Sequence, residues 1–317
     1  MRRLSIILLL LLTFVSAQAQ DFALEAFLEK ARLATARYQE GFKNLVAEEH
    51  KTYEYFRRDG TVEDSRRIKS VFLVYQSPTT NYPNEFRTVI EFQGKNVARK
   101  DEDLAKLFAR LTRAASYQEE VAQLRKEADR FDGRSHAWGV TLGQGLVLQK
   151  NYRSFFAFQI VGREKIAGCE VLVVDYQQVK PTPLIKVRAT DEERKQEPNG
   201  IAFDTSLPDK FRPTNPRVQG KIWLDAETAQ IWRDEFTVTI QPNGFLKPVT
   251  SGEFRYEYQS SQFAILVPKR FWMSSYRFSG NNEKDLAVTR DTRKIFEYSK
   301  FSNPDADVKD YKISPSP

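Results

Sequence analysis

The sequence predicts an α+β protein built on one large antiparallel sheet with a single apolar face. Three observations carry this. Runs of alternating apolar and polar residues recur from residue 45 almost to the C-terminus, separated by turn signals, as half-buried antiparallel strands do. Helical spacing is confined to one stretch before the first strand and one between strands. The 23 Phe, 13 Tyr and 4 Trp concentrate in the strand-like runs, giving the sheet an apolar face that helices must cover.

The N-terminus sets the compartment. Met1-Arg2-Arg3 is basic, Leu4 to Val15 is apolar apart from Ser5 and Thr13, and Ala17-Gln18-Ala19 fits signal-peptidase cleavage. The 12-residue apolar run is too short to cross roughly 30 Å of hydrocarbon as a helix. Residues 1–19 are therefore expected to be a cleaved signal peptide, and the mature chain to be secreted into the periplasm or cell envelope. Residues 20–303 are expected to form one domain, and 304–317 a polar, flexible tail.

Phe22 to Phe42 reads as a helix, with Phe27, Ala31, Ala34, Tyr38 and Phe42 at three- and four-residue steps. From Leu45 two β-rich runs flank Asp59-Gly60, a hairpin signal. "NEFRTVIEFQGK" follows, with Phe86, Thr88, Ile90 and Phe92 on one parity and a turn at Gly94-Lys95. Helical period returns from Asp101 to Phe131, with a weak stretch at Ala114 to Glu120 that can divide it. "FFAFQIVGREKIAGCEVLVVDYQQV" reads as a second hairpin about Arg163 to Gly168. Lys180 to Pro216 holds six of the fourteen prolines and little periodicity, so it is expected to be a long loop insertion. From Val218 the strands resume and continue to Asn303.

Composition excludes several functions. The 49 basic and 42 acidic residues give +7, or +5 without Arg2 and Arg3, and the signs alternate along the chain. Nucleic acid is not an expected partner, whereas a mildly basic surface suits peripheral contact with anionic head groups. The lone Cys169 permits no intrachain disulfide and reads as a buried structural thiol. His50 and His136 lie in no metal-ligand spacing, and the chain has neither a nucleophile elbow nor a phosphate loop. The pairs Glu48-Glu49, Glu119-Glu120 and Glu192-Glu193 read as surface charge, because neighbours on a strand or helix diverge. No catalytic residue, cofactor or metal site is expected, and the chain is read as non-enzymatic.

The positive signal lies in "GKIWLDAETAQIWRDEFTVTI", Gly220 to Ile240. Ile222 and Leu224 share one parity. Trp232, Phe236, Val238 and Ile240 do too, with Asp234 the exception, and in "GEFRYEYQ" Phe254, Tyr256 and Tyr258 alternate with charged residues. These nine apolar residues are the expected wall of an interior. It is either a core filled by its own rings or a pocket for a lipid-like ligand, where tyrosine hydroxyls can meet a head group.

"GKIWLDAETAQIWRDE" resembles the recurrent hairpin of the periplasmic lipoprotein-carrier (LolA/LolB-like) superfamily, and "FRYEYQ…ILVPKRFWM" resembles its later strand pair. The chain also resembles uncharacterised secreted bacterial proteins in "EFQGKNVARKDEDLAKLF", "EADRFDG", "VKPTPLIK" and "FEYSKFSN". The carrier resemblance implies a strongly curved half-barrel closed by helices over an apolar cavity, and a lipid or lipidated protein as partner. The other reading that stays open is a structural or protein-interaction component of the envelope with a filled core.

Overall fold

A computed structural model describes residues 23–43, 45–76, 83–100, 106, 116–132, 140–188, 201–204, 216–279 and 286–303. The expected signal peptide (1–19), the tail (304–317) and much of the expected 101–131 helix and 180–216 loop lie outside the described residues.

Eleven of the thirteen described strands form one sheet. The N-terminal half supplies β1 (Val46–Phe56), β2 (Val62–Gln76), β3 (Pro83–Phe92) and the short β4 (Lys95–Asn96). A hairpin of β5 (Phe156–Ile166) and β6 (Cys169–Gln178) follows. The C-terminal run is β9 (Arg217–Asp225), β10 (Ile231–Ile240), β11 (Val249–Gln259), β12 (Val267–Ser279) and β13 (Ala287–Ser302). Their order across the sheet is β4-β3-β2-β1-β13-β12-β11-β10-β9-β6-β5, so β13 returns to pair with β1 and the sheet stays open between β4 and β5. Each of these pairings is antiparallel. Within the stretch read as a loop, β7 (Ile185–Arg188) and β8 (Ile201–Asp204) pair in parallel, and Leu184 and Ile185 join the main core.

The N-terminal helix, residues 23–42, lies in the hollow of the sheet. Leu28, Ala31, Ala34, Tyr38 and Phe42 are buried, as the three-and-four spacing requires of one face. The Phe42 ring lies 5.9 Å from that of Phe72 on β2 and 6.2 Å from Phe301 on β13, and Tyr38 meets Tyr258 of β11 at 5.9 Å. Strands β2 and β11 are four positions apart, about 19 Å along a flat sheet at ~4.8 Å per strand. A helix about 10 Å across reaches both only where the sheet curls around it. The predicted half-barrel is therefore the observed architecture.

A second helix, Tyr117–Ala128, begins inside the weak stretch of the sequence. Ser116 caps it, its hydroxyl accepting from the Glu119 amide at 3.2 Å. It covers β3, burying Leu124 and Ala128, and Thr88 Oγ1 donates to Glu127 Oε1 at 3.4 Å. β3 is consequently buried on both faces, which the simple parity reading does not anticipate. Glu85, Arg87 and Val89 pair with Val74, Phe72 and Ser70, and the register then slips so that Phe92 pairs with Ile68. One extra residue, Ile90, thus brings Phe92 onto the face of Arg87 and Val89 instead of that of Phe86 and Thr88.

Candidate functional site

Register defines two adjacent rows on the inner face. Cross-strand partners link Phe158, Tyr176, Gly220, Phe236, Phe254 and Met273 from β5 to β12. Two residues further along, Val174, Ile222, Asp234, Tyr256, Phe271 and Phe296 form the second row. The second row is buried except for half-buried Tyr256, whereas Phe158, Phe236, Phe254 and Met273 of the first are only half-buried. Phe236 and Phe254 stack at 4.6 Å with their planes 10° apart, and Tyr256 continues the stack 6.1 Å from Phe236. Gly220 makes the row possible. A Cβ there would lie 2.3 Å from Glu235 O and 2.7 Å from both Phe236 Cβ and Tyr176 Cζ, so the Tyr176 ring crosses the sheet over bare backbone.

Most of the nine residues expected on the wall meet in one cluster. Ile222, Leu224, Trp232, Val238 and Tyr258 are buried in the main core, and Phe236, Phe254 and Tyr256 pack against it half-buried. Ile240 lies elsewhere, in a small cluster with Phe278. A register slip between Ile231 and Arg233 sets Ile231, not Trp232, opposite Leu224, so Ile231 continues the inner alternation of Phe236 and Asp234. Trp232 instead closes the hairpin turn, its indole N–H donating to Asp225 Oδ2 at 3.2 Å. Burial would raise the Asp225 carboxyl, but bonds from Thr228, Trp232 and Glu227 bring it below the usual range.

The inner face also buries charge that alternation conceals. Asp234 Oδ1 accepts from the Tyr176 hydroxyl at 2.8 Å, and burial pushes its carboxyl up to about 7, with the Tyr176 bond opposing and nearby Glu235 assisting. Its break in the apolar parity is the one sequence signal for it. On β1–β3, Arg87 Nε donates to both Glu49 oxygens at 2.9 Å and Nη1 to Glu85 Oε2 at 2.7 Å. Nearby, Lys51 Nζ meets Asp132 Oδ1 at 2.6 Å, and the Tyr53 hydroxyl donates to Asp132 Oδ2 at 2.8 Å. The surface-charge reading fails for Glu49, which is 0 % exposed, because strand alternation turns it inward and Glu48 outward. Partial burial would raise Glu48, but bonds from His50, Lys69 and Lys300 hold it at about 2.

Cys169 is also placed differently from expectation. It is exposed, because the β5–β6 turn at Ala167-Gly168 projects beyond the core and its partner Ile166 is only half-buried.

The outer face carries a separate groove of about 790 Å³ across β5, β6 and β9–β12. Its β12 wall is Trp272, which register places in line with Arg255, Glu235, Lys221, Asp175 and Gln159. These alternate with the inward row, so the groove opens on the polar side of the sheet. Its ions are paired: Lys221 lies 3.5 Å from Asp175, and Arg255 lies 3.2 Å from Glu235 and 2.6 Å from Glu257. Trp223 shares this face yet is buried, its indole N–H donating to Glu164 at 3.0 Å with Arg233 5.0 Å over the ring.

Among the described residues, no group of three or more His, Cys, Asp or Glu is placed to hold a metal ion. No protein-family model and no curated protein matches the chain. Solved structures distantly similar to it include three bacterial proteins. One is a DUF1329 family protein from Desulfovibrio piger (6% identity, 90% of this chain and 95% of that one, TM-score 0.32). Another is an outer membrane lipoprotein-sorting protein domain from Vibrio parahaemolyticus (12%, 87% and 91%, 0.31). The third is a LolA superfamily protein from Nitrosomonas europaea (10%, 89% and 96%, 0.29).

Proposed function

We propose that this is a secreted, non-enzymatic envelope protein that holds an acyl chain, of a lipid or a lipidated partner, on the inner face of its half-barrel. The observation that carries the reading is the contrast between the two inner rows. The second, Tyr256 apart, is buried in the protein's own core, while Phe158, Phe236, Phe254 and Met273 keep part of their apolar surface uncovered. An acyl chain laid along them would gain roughly 25 cal/mol per Å² of apolar surface removed from water. The role needs no catalytic residue.

Native mass spectrometry and lipid extraction of the mature protein, purified from an envelope fraction, test this. A co-purifying amphiphile that Phe236→Asp abolishes, with circular dichroism unchanged, supports it. A protein that is free of lipid and takes up no labelled fatty acid overturns it. That result would favour the second reading, an envelope structural or interaction component. The continuity of the core from the N-terminal helix to β13 supports that alternative.

A further inference from the structure

We infer that the outer groove is a second binding site, independent of the acyl-chain reading, and that its ligand is a neutral, linear polysaccharide chain. Lipid is disfavoured because the apolar rows face the other side of the sheet. Polyanions such as nucleic acid or acidic glycans are disfavoured because Lys221 and Arg255 are each neutralised by a carboxylate across the strand. What the groove offers instead is side-chain amides. Gln159, Gln177 and Gln219 lie along it, exposed, and Gln177 faces Gln219 as a cross-strand partner.

The groove continues into an adjoining pocket of about 450 Å³, which shares Gln177 and Gln219 and adds Gln241, Asn243 and one basic residue, Arg217, whose Nη1 donates to Gln178 O at 3.5 Å. A primary amide donates and accepts at once, which matches a sugar hydroxyl, itself both donor and acceptor. Half-buried Trp272 closes one end of the larger groove, where an indole face can pack against the C–H face of a pyranose ring. The groove crosses six strands, roughly 24 Å at ~4.8 Å per strand, a length suited to several linked sugars and excessive for a small metabolite.

The test is isothermal titration calorimetry of the mature protein with maltohexaose, cellohexaose and chitohexaose, beside polygalacturonate and heparin as acidic glycans. Binding of at least one neutral hexamer is expected, weakened tenfold or more by Trp272→Ala and by the double variant Gln177→Ala/Gln219→Ala. The glutamines are exposed, so that double variant reports on the groove even where Trp272→Ala perturbs folding. Failure of all three neutral hexamers, tighter binding of the acidic glycans, or binding unaffected by the double variant overturns the proposal. None of these outcomes bears on lipid recovery, so the two readings stand or fall separately.

Discussion

Replacing Arg87 with Met would leave Glu49 and Glu85 facing each other across β1–β3 with no countercharge. Arg87 is 1 % exposed and both carboxylates are 0 % exposed, so water cannot take its place. Breaking a buried ion pair from one side costs about 3–5 kcal/mol. Other donors remain, namely the Tyr298 hydroxyl to Glu49 at 2.7 Å and the Thr141 amide to Glu85 at 2.6 Å. The expected loss is therefore near the lower end, about 3 kcal/mol at pH 7, or roughly 6–12 °C in melting temperature.

The pH dependence sharpens this. Burial alone would raise Glu85, but Arg87 and Thr141 bring it below its ordinary value in the native protein. Its contribution to wild-type stability is thus present above the unfolded carboxylate range and is lost as pH falls through the lower folded value. Without Arg87 the burial effect wins and the folded value rises, so the variant gains stability as pH falls. Urea unfolding at pH 7 and pH 5 should show the gap between variant and wild type narrowing at the lower pH. A loss below about 1 kcal/mol, or a gap independent of pH, would refute the reasoning.

Three further outcomes are expected. Asp234 titrates near 7 in the folded chain, above its unfolded value, so it costs stability as pH rises towards 7 and the full penalty persists above it. Asp234→Asn should therefore raise the melting temperature more at pH 8.5 than at pH 5, and an equal change at both would contradict this. Gly220→Ala places a methyl against Glu235 O and the Tyr176 ring, and should destabilise by about 1–3 kcal/mol with faster amide exchange in β9 and β10; unchanged exchange there would show that the rings simply move. Exposed Cys169 should react with a thiol reagent in the native state without loss of stability, and protection until denaturant is added would show it to be shielded.

Local pattern made most of the fold legible. The spacing of Ala31, Ala34, Tyr38 and Phe42 is a helix face wherever that helix packs, and the Asp59-Gly60 hairpin needs only its own turn chemistry. The candidate wall was partly legible. Eight of its nine residues belong to or pack against the main core, and Ile240, with the same parity, does not. Parity names a face of one strand and is silent on what that face meets. Bulges defeat it outright: the slips in β3 and β10 each shift the inward alternation by one residue, which takes Phe92 and Trp232 off the faces that parity assigns them.

The α+β class, the order of strands and helices, and the inward sense of Phe236, Phe254 and Tyr256 were determined by the sequence alone, because each rests on contacts within a few residues or on a period of two or 3.6. The tertiary structure alone decided that β13 closes on β1, that Glu49, Arg87 and Glu85 share one dry site, and that polar side chains from β5 to β12 line one outer groove. These depend on pairings between residues far apart in the chain, such as Glu49 and Tyr298, which are separated by 249 positions, and no local period encodes such a distance.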